Sequence, residues 1–189
     1  MFTDAGLYLI QTLFDFYIFV FILRFLLQTL HADYFNPLSQ FALKLTQGVV
    51  RPFQKIIPDI KGIDLAVLLI IFLLEIIKLS IPLLVKLTAF PNVGGLLLLA
   101  LVSMIKEFMV FYFYIILARV LMSWLAPTHH NPVQFALVQL TEPLLKPIRR
   151  IIPLIGGFDL APLIAIIVLQ VLQLLLIEPL LDFAIGLIL

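Results

Sequence analysis

The chain has 189 residues, of which 63% are hydrophobic and only 12% charged, and its mean hydropathy is +1.21. This excludes an ordinary soluble domain, in which about a quarter of residues are charged. Net charge is +1 and there is no Cys, so a disulfide, a thiol redox centre and a Cys-ligated cluster or haem are excluded as well.

The first segment, MFTDAGLYLIQTLFDF, has no basic region, and its apolar run continues past Phe25 without a small-residue cleavage site. It reads as a retained helix, not a signal peptide. A membrane span needs roughly 20 mainly apolar residues, and the first such stretch covers about 8 to 30. Phe14, Phe16, Tyr17, Phe19 and Phe21 give it an aromatic band suited to lipid contact, helix packing or a partner protein, and Asp15 has no evident role. Arg24 falls inside the span, one to two turns from its end. Asn36-Pro37 follows, a favoured cap and first helical residue, so a helix is predicted from Pro37. Pro52 is expected to divide that connector into two short helices. Val49, Val50, Phe53, Ile56, Ile57 and Ile60 fall on one arc, against Arg51, Gln54 and Lys55 on the other. Asp64 opens the second apolar stretch, about 63 to 85, in which Glu75 and Lys78 share one helical face. The connection TAFPNVGGLL, with Pro91, Gly94 and Gly95, is the natural boundary between halves.

Beyond that boundary the pattern recurs. Apolar stretches cover about 97 to 126 and about 160 to 181. The first carries Phe108, Phe111, Tyr112, Phe113, Tyr114 and Arg119; the second follows Asp159 and carries Gln170 and Gln173. Between them Asn131-Pro132 predicts a helix start and Pro143 and Pro147 an interruption. Leu144, Leu145, Ile148, Ile151, Ile152 and Ile155 oppose Lys146, Arg149 and Arg150.

The two halves align without gaps at an offset of 95 residues, with 17 identities over the 45 positions from Arg24 to Leu68. Arg24, Asn36-Pro37, Leu45-Thr46, Pro52, Ile56-Ile57-Pro58, Gly62 and Asp64-Leu65-Ala66 match Arg119, Asn131-Pro132, Leu140-Thr141, Pro147, Ile151-Ile152-Pro153, Gly157 and Asp159-Leu160-Ala161. Such self-similarity marks a structural repeat. The chain therefore reads as an all-α integral membrane protein with repeats at 1–90 and 91–189. Each is a hairpin of two spans joined by an amphipathic interfacial helix. An even number of spans per repeat makes the repeats parallel, which disfavours an alternating-access bundle built on inverted repeats. Lys44, Arg51, Lys55 and Lys61, and later Lys146, Arg149 and Arg150, concentrate positive charge in the two connectors. The positive-inside rule then puts the connectors in the cytoplasm and both termini outside. Lys86 and Lys106 flank the central connection and weaken this contrast.

Polar residues within apolar spans are expensive and need partners. Arg24 with Asp64 and Arg119 with Asp159, or the pairs exchanged between repeats, form either a structural clasp or part of an ion path. Glu75, Lys78, Gln170 and Gln173 occupy equivalent depths and are expected to meet near the bilayer middle, as interhelical glue or as a pore lining. Arg51, Lys55, Lys146, Arg149 and Arg150 form a lipid or partner surface, or serve only to fix topology. His31, His129 and His130 lack the further ligands of a metal site. Ser123 lacks a base, and no Gly-rich phosphate loop is present. No cofactor, metal or nucleic acid is expected, and the residues support no enzyme.

The second copy carries Arg119, Ser123-Trp124, Asn131-Pro132, Leu140-Thr141-Glu142-Pro143-Leu144-Leu145, Pro147-Ile148-Arg149-Arg150, Ile152-Pro153 and Gly156-Gly157-Phe158-Asp159. This pattern closely resembles the YggT family of small bacterial membrane proteins, which has chloroplast relatives. The first copy is a worn version, with Gln28-Thr29 for Ser-Trp, Gln47-Gly48 for Glu-Pro and Lys61-Gly62 for Gly-Gly. The resemblance implies a multi-pass protein of the bacterial inner membrane, linked to osmotic or ion stress, division, or assembly of membrane complexes. It supplies no catalytic residue. The expected function is non-enzymatic support of the envelope through partner proteins and anionic lipid of the cytoplasmic leaflet. The alternative is a small channel or transporter component for potassium or protons, which would need a homo-oligomer to enclose a pore.

Overall fold

Asn36 and Asn131 start their helices as expected: each side-chain oxygen accepts a hydrogen bond from the backbone two residues on, Leu38 N–H at 3.0 Å and Val133 N–H at 2.9 Å. Pro37 and Pro132 fill the first helical position, where no N–H is needed. Asp64 caps the next helix of the first repeat by accepting from Val67 N–H at 3.1 Å. In a computed structural model that describes residues 2–86, 92–125, 131–152 and 159–188, these signals organise an all-helical chain. The elements are α1 (Phe2–Thr29), α2 (Pro37–Gln54), α3 (Leu65–Lys86), α4 (Val93–Leu125), α5 (Pro132–Ile151), α6 (Ala161–Leu172), a π-helical turn (Gln173–Ile177) and α7 (Glu178–Ile188). No strand occurs among the described residues.

Four segments are long and apolar enough to cross a membrane: Asp4–Thr29, Leu65–Val85, Val93–Trp124 and Ala161–Ile188. The chain is a multi-pass membrane protein of two tandem hairpins, α1/α3 and α4/α6–α7. Helix α4 is the hub and packs against α1, α3, α5, α6 and α7. The main core lies where α1, α3 and α4 meet, around the fully buried Ile18, Phe21, Ile71 and Phe111. Part of the aromatic band serves this packing: Phe19 stacks on Phe111 with ring centroids 4.6 Å apart, and Phe25 meets Phe108 edge-on at 5.8 Å. Tyr8, Phe16 and Tyr114 face outward.

Two local expectations are corrected. Each connector holds one continuous helix, not two, although Pro52 lies within α2 and both Pro143 and Pro147 within α5. Pro removes a helical N–H, but all three prolines are exposed. The carbonyls they leave unpaired therefore lie on the outer face, where water can satisfy them. The apolar run after Pro52 leaves the helix: Ile60 and Ile63 pair across a tight turn whose centre, Lys61 and Gly62, has φ of +52° and +83°. Two consecutive positive φ values are what a type I′ turn requires. The second-repeat equivalent, residues 153–158, and the His129-His130 pair lie outside the described residues.

Gly94 and Gly95 belong to the first turn of α4 instead of the connection. A Cβ on Gly95 would lie 2.9 Å from the Ile188 side chain and 3.0 Å from the backbone of Ile188 and Leu187. Only Gly allows this approach of α4 to α7, the small-residue packing that substitutes for the hydrophobic effect within lipid.

Candidate functional site

Charged residues gather at two depths. Asp15 lies 11 residues into the first span and Glu75 10 residues from the end of the second, which puts both about 15 Å deep, near the middle of a core about 30 Å thick. Lys78 Nζ donates to Asp15 Oδ1 at 2.9 Å, Glu107 Oε1 at 3.0 Å and Glu75 Oε1 at 3.1 Å. An ammonium has three N–H donors, and each finds a carboxylate, one from each of α1, α3 and α4. Glu75 is wholly buried and its Oε2 has no partner among the described residues, whereas the Asp15 side chain is 51% exposed. Three carboxylates around one ammonium leave a formal surplus of two negative charges, and the shared ammonium ties three spans together.

This differs from the expected meeting of Glu75, Lys78, Gln170 and Gln173. Gln170 is exposed, and Gln173 is half-buried with an unpartnered Nε2. The partners of Lys78 are Asp15 and Glu107, whose repeat equivalents are Val110 and Thr12, so internal symmetry could not reveal them. Gln173 instead begins the π-helical turn, just beyond which Glu178 accepts from Lys106 Nζ at 2.7 Å. Lys106 and Glu107 are consecutive and therefore about 100° apart on α4. One reaches Glu178 on α7 and the other Lys78 on α3.

The second depth is at the connector ends of the spans. Arg119 donates from Nη1 to Thr141 Oγ1 at 2.5 Å and from Nη2 to Glu142 at 3.1 Å. Glu142 also accepts from Arg149 at 2.8 Å, and Arg149 reaches Asp159 at 2.9 Å through Nε. The result is a chain of alternating charge, Arg119–Glu142–Arg149–Asp159, in place of the direct Arg119–Asp159 pair that was expected. Burial pushes the Glu142 carboxyl up, but the hydrogen bonds and charges of Arg149 and Arg119 outweigh it and hold it below its usual range. Burial likewise lowers Arg149, and Glu142 and Asp159 more than offset this, so its value is raised. Arg149 is thereby committed inward, while Arg51, Lys55, Lys146 and Arg150 are exposed. Asp159 also accepts from Ala161 N–H at 3.0 Å, which holds the start of α6.

At the equivalent place in the first repeat, Arg24 Nη1 donates to Thr46 Oγ1 at 2.9 Å. Asp64 is its countercharge through space, but the Asp64 carboxylate accepts from Gln54 at 2.6 Å and from Val67 N–H instead of from Arg24. The expected Arg24–Asp64 contact is thus indirect. Gln47 and Gln54 stand where the second repeat has Glu142 and Arg149.

The connectors are joined to each other. Asn36 Nδ2 donates to the Pro132 carbonyl at 2.5 Å and Gln139 Nε2 to the Leu30 carbonyl at 3.1 Å. Along α2, Ser39, Ala42, Thr46 and Val50 face the spans, Phe41, Leu45 and Val49 form an exposed apolar row, and Gln40, Lys44 and Arg51 an exposed polar one. Tyr34, Phe35, Ile56, Trp124 and Ile151 are more than half exposed at the same level. Such a band matches the headgroup layer, where aromatic rings and basic side chains anchor.

Comparison with known proteins agrees with the repeat. The model of the CCB3/YggT family matches residues 3–85 and 98–180, segments related by the same 95-residue offset. The chain is 43% identical over 164 residues to a Vibrio alginolyticus protein described as uncharacterised, in the proC 3′ region, covering 86% of this chain and 88% of that one. It is 36% identical over 168 residues to the uncharacterised protein YggT of Escherichia coli K12 (88% and 86% covered). It is also 36% identical over 178 residues to an uncharacterised Pseudomonas aeruginosa protein (92% and 89% covered). No solved structure matches. Two matched segments spanning most of the chain, together with relatives of the same length and above 30% identity, establish that the chain belongs to the CCB3/YggT family.

Proposed function

We propose that the protein is a non-enzymatic organiser of the bacterial inner membrane, with its connectors in the cytoplasm and both termini outside. It supports osmotic-stress tolerance or the assembly of membrane complexes through partner proteins and anionic lipid. The observation that carries this reading is the joined α2–α5 surface, where an apolar row and aromatic side chains lie beside exposed Lys44, Arg51, Lys55, Lys146 and Arg150. A basic residue near an anionic leaflet contributes about 1 kcal/mol, so five on one surface give a strong preference for such lipid. The test is the thermal stability of the protein in nanodiscs of phosphatidylglycerol or of phosphatidylcholine, with those five residues changed to Gln. The wild type melts higher in phosphatidylglycerol and the variant loses the difference. Equal melting in both lipids contradicts the reading. In cells, the same variant fails to restore growth in high salt to a deletion strain.

A second reading, proton or potassium movement, is favoured by one feature: the surplus carboxylates around Lys78 near the bilayer middle. It requires flux that Glu75→Gln abolishes in a variant that still folds.

A further inference from the structure

The repeats differ in what meets the buried Arg at the connector end of the first span. The Arg24 residue is 4% exposed, yet its Nε is buried without a partner among the described residues, and the same is true of Ser39 Oγ. Both line a cavity of about 410 Å³ between α1 and α2, together with Gln28, Tyr34 and Gln47. The equivalent guanidinium, Arg119, is engaged by Glu142, but Gln47 occupies that place in the first repeat and brings no charge. A shallower groove of about 340 Å³ shares Tyr34, Leu43 and Gln47 with the cavity and adds the exposed Lys44. A buried cation with a free donor, a buried hydroxyl, uncharged amides and a second cation at the mouth make a receptor for an anion with several acceptor oxygens. Arg24 is five residues from the end of α1, about 7.5 Å along the axis, which is headgroup depth.

We propose that the first repeat binds a phosphate group in this cavity. The Arg24 guanidinium and the Ser39 hydroxyl turn into the cavity to donate to its oxygens, and Lys44 provides the outer charge. Planar, charge-assisted donation of this kind is what Arg offers a phosphate. The site shares Lys44 with the exposed basic surface described above, but its inner donors, Arg24 and Ser39, are buried and do not belong to that surface, so it stands whether or not that surface recognises lipid. Either a phospholipid headgroup or a free phosphate supplies the chemistry.

The full-length protein in detergent tests this with two probes: native mass spectrometry after incubation with phosphatidic acid or phosphatidylcholine, and equilibrium dialysis with radiolabelled inorganic phosphate. The decisive variant is Gln47→Glu, which supplies the carboxylate that Arg119 already has and so preserves folding. Retention of phosphatidic acid over phosphatidylcholine, weakened at least tenfold by Gln47→Glu, supports a headgroup site. Phosphate binding weakened to the same extent supports a soluble ligand. Gln170→Leu, at an exposed position of the second repeat's last span, leaves either signal unchanged. If neither probe binds, or if Gln47→Glu binds as the wild type does, the proposal is overturned.

Discussion

The two repeats place their charges at different depths of the same scaffold. In the first, Glu75 and Lys78 are charged near the bilayer middle, while the connector positions are the neutral Gln47 and Gln54. In the second, the mid-span equivalents are Gln170 and Gln173, and the connector positions are Glu142 and Arg149. In each case the charges come or go as a complementary pair: three residues apart in the span and seven, two turns, in the connector. A lone buried charge is costly and a paired one tolerable, which is why these two positions in each repeat changed as whole pairs. The first repeat then recruits Asp15 and Glu107 around Lys78, which binds it to the second through α4.

The largest effect should come from breaking the mid-span pair. Lys78→Met strands three carboxylates and costs about 3–5 kcal/mol, read as a steep loss of folded yield and a lowered melting temperature in detergent. Adding Glu75→Gln and replacing Lys78 by Gln instead, which copies the second repeat, recovers at least half of that loss. Next in size, Glu142→Gln removes the negative charge shared by Arg119 and Arg149 and costs about 1–2 kcal/mol, discounted for its partial exposure. The double change Glu142→Gln with Arg149→Gln reproduces the first-repeat arrangement and melts closer to wild type than the single one. Acid should separate the repeats as well. Glu142 has a folded value below its usual 4.5, so its contribution is complete above that pH and is lost as pH falls through the folded value. Melting curves of the wild type and Glu142→Gln therefore converge in acid and diverge towards neutrality. The smallest effect is at the Asn131 cap. Asn131→Ala costs about 1 kcal/mol, and Asn36→Ala costs about 1 kcal/mol more because it also loses the bond to the Pro132 carbonyl.

Spans, caps and duplication were legible in the sequence because each rests on local composition or spacing: apolar length, Asn-Pro, a constant offset. The continuity of α2 and α5 was not, since whether Pro breaks a helix depends on whether the freed carbonyl faces water. Partners of Lys78 were hidden for a different reason. Asp15 and Glu107 lie 63 and 29 residues away on other helices and lack charged counterparts in the opposite repeat, so internal symmetry points from Glu75 and Lys78 only to Gln170 and Gln173. The role of Glu142 did leave a signal: it changes together with Arg149 between repeats, two turns apart on one face.

Whether the Lys78 cluster ties helices or conducts is decided by reconstituting the protein in liposomes under potassium and pH gradients, beside Glu75→Gln. The account predicts no flux above empty liposomes from well-folded wild type. Potassium or proton flux that Glu75→Gln abolishes while the protein stays folded would contradict it and make the cluster a conduction path.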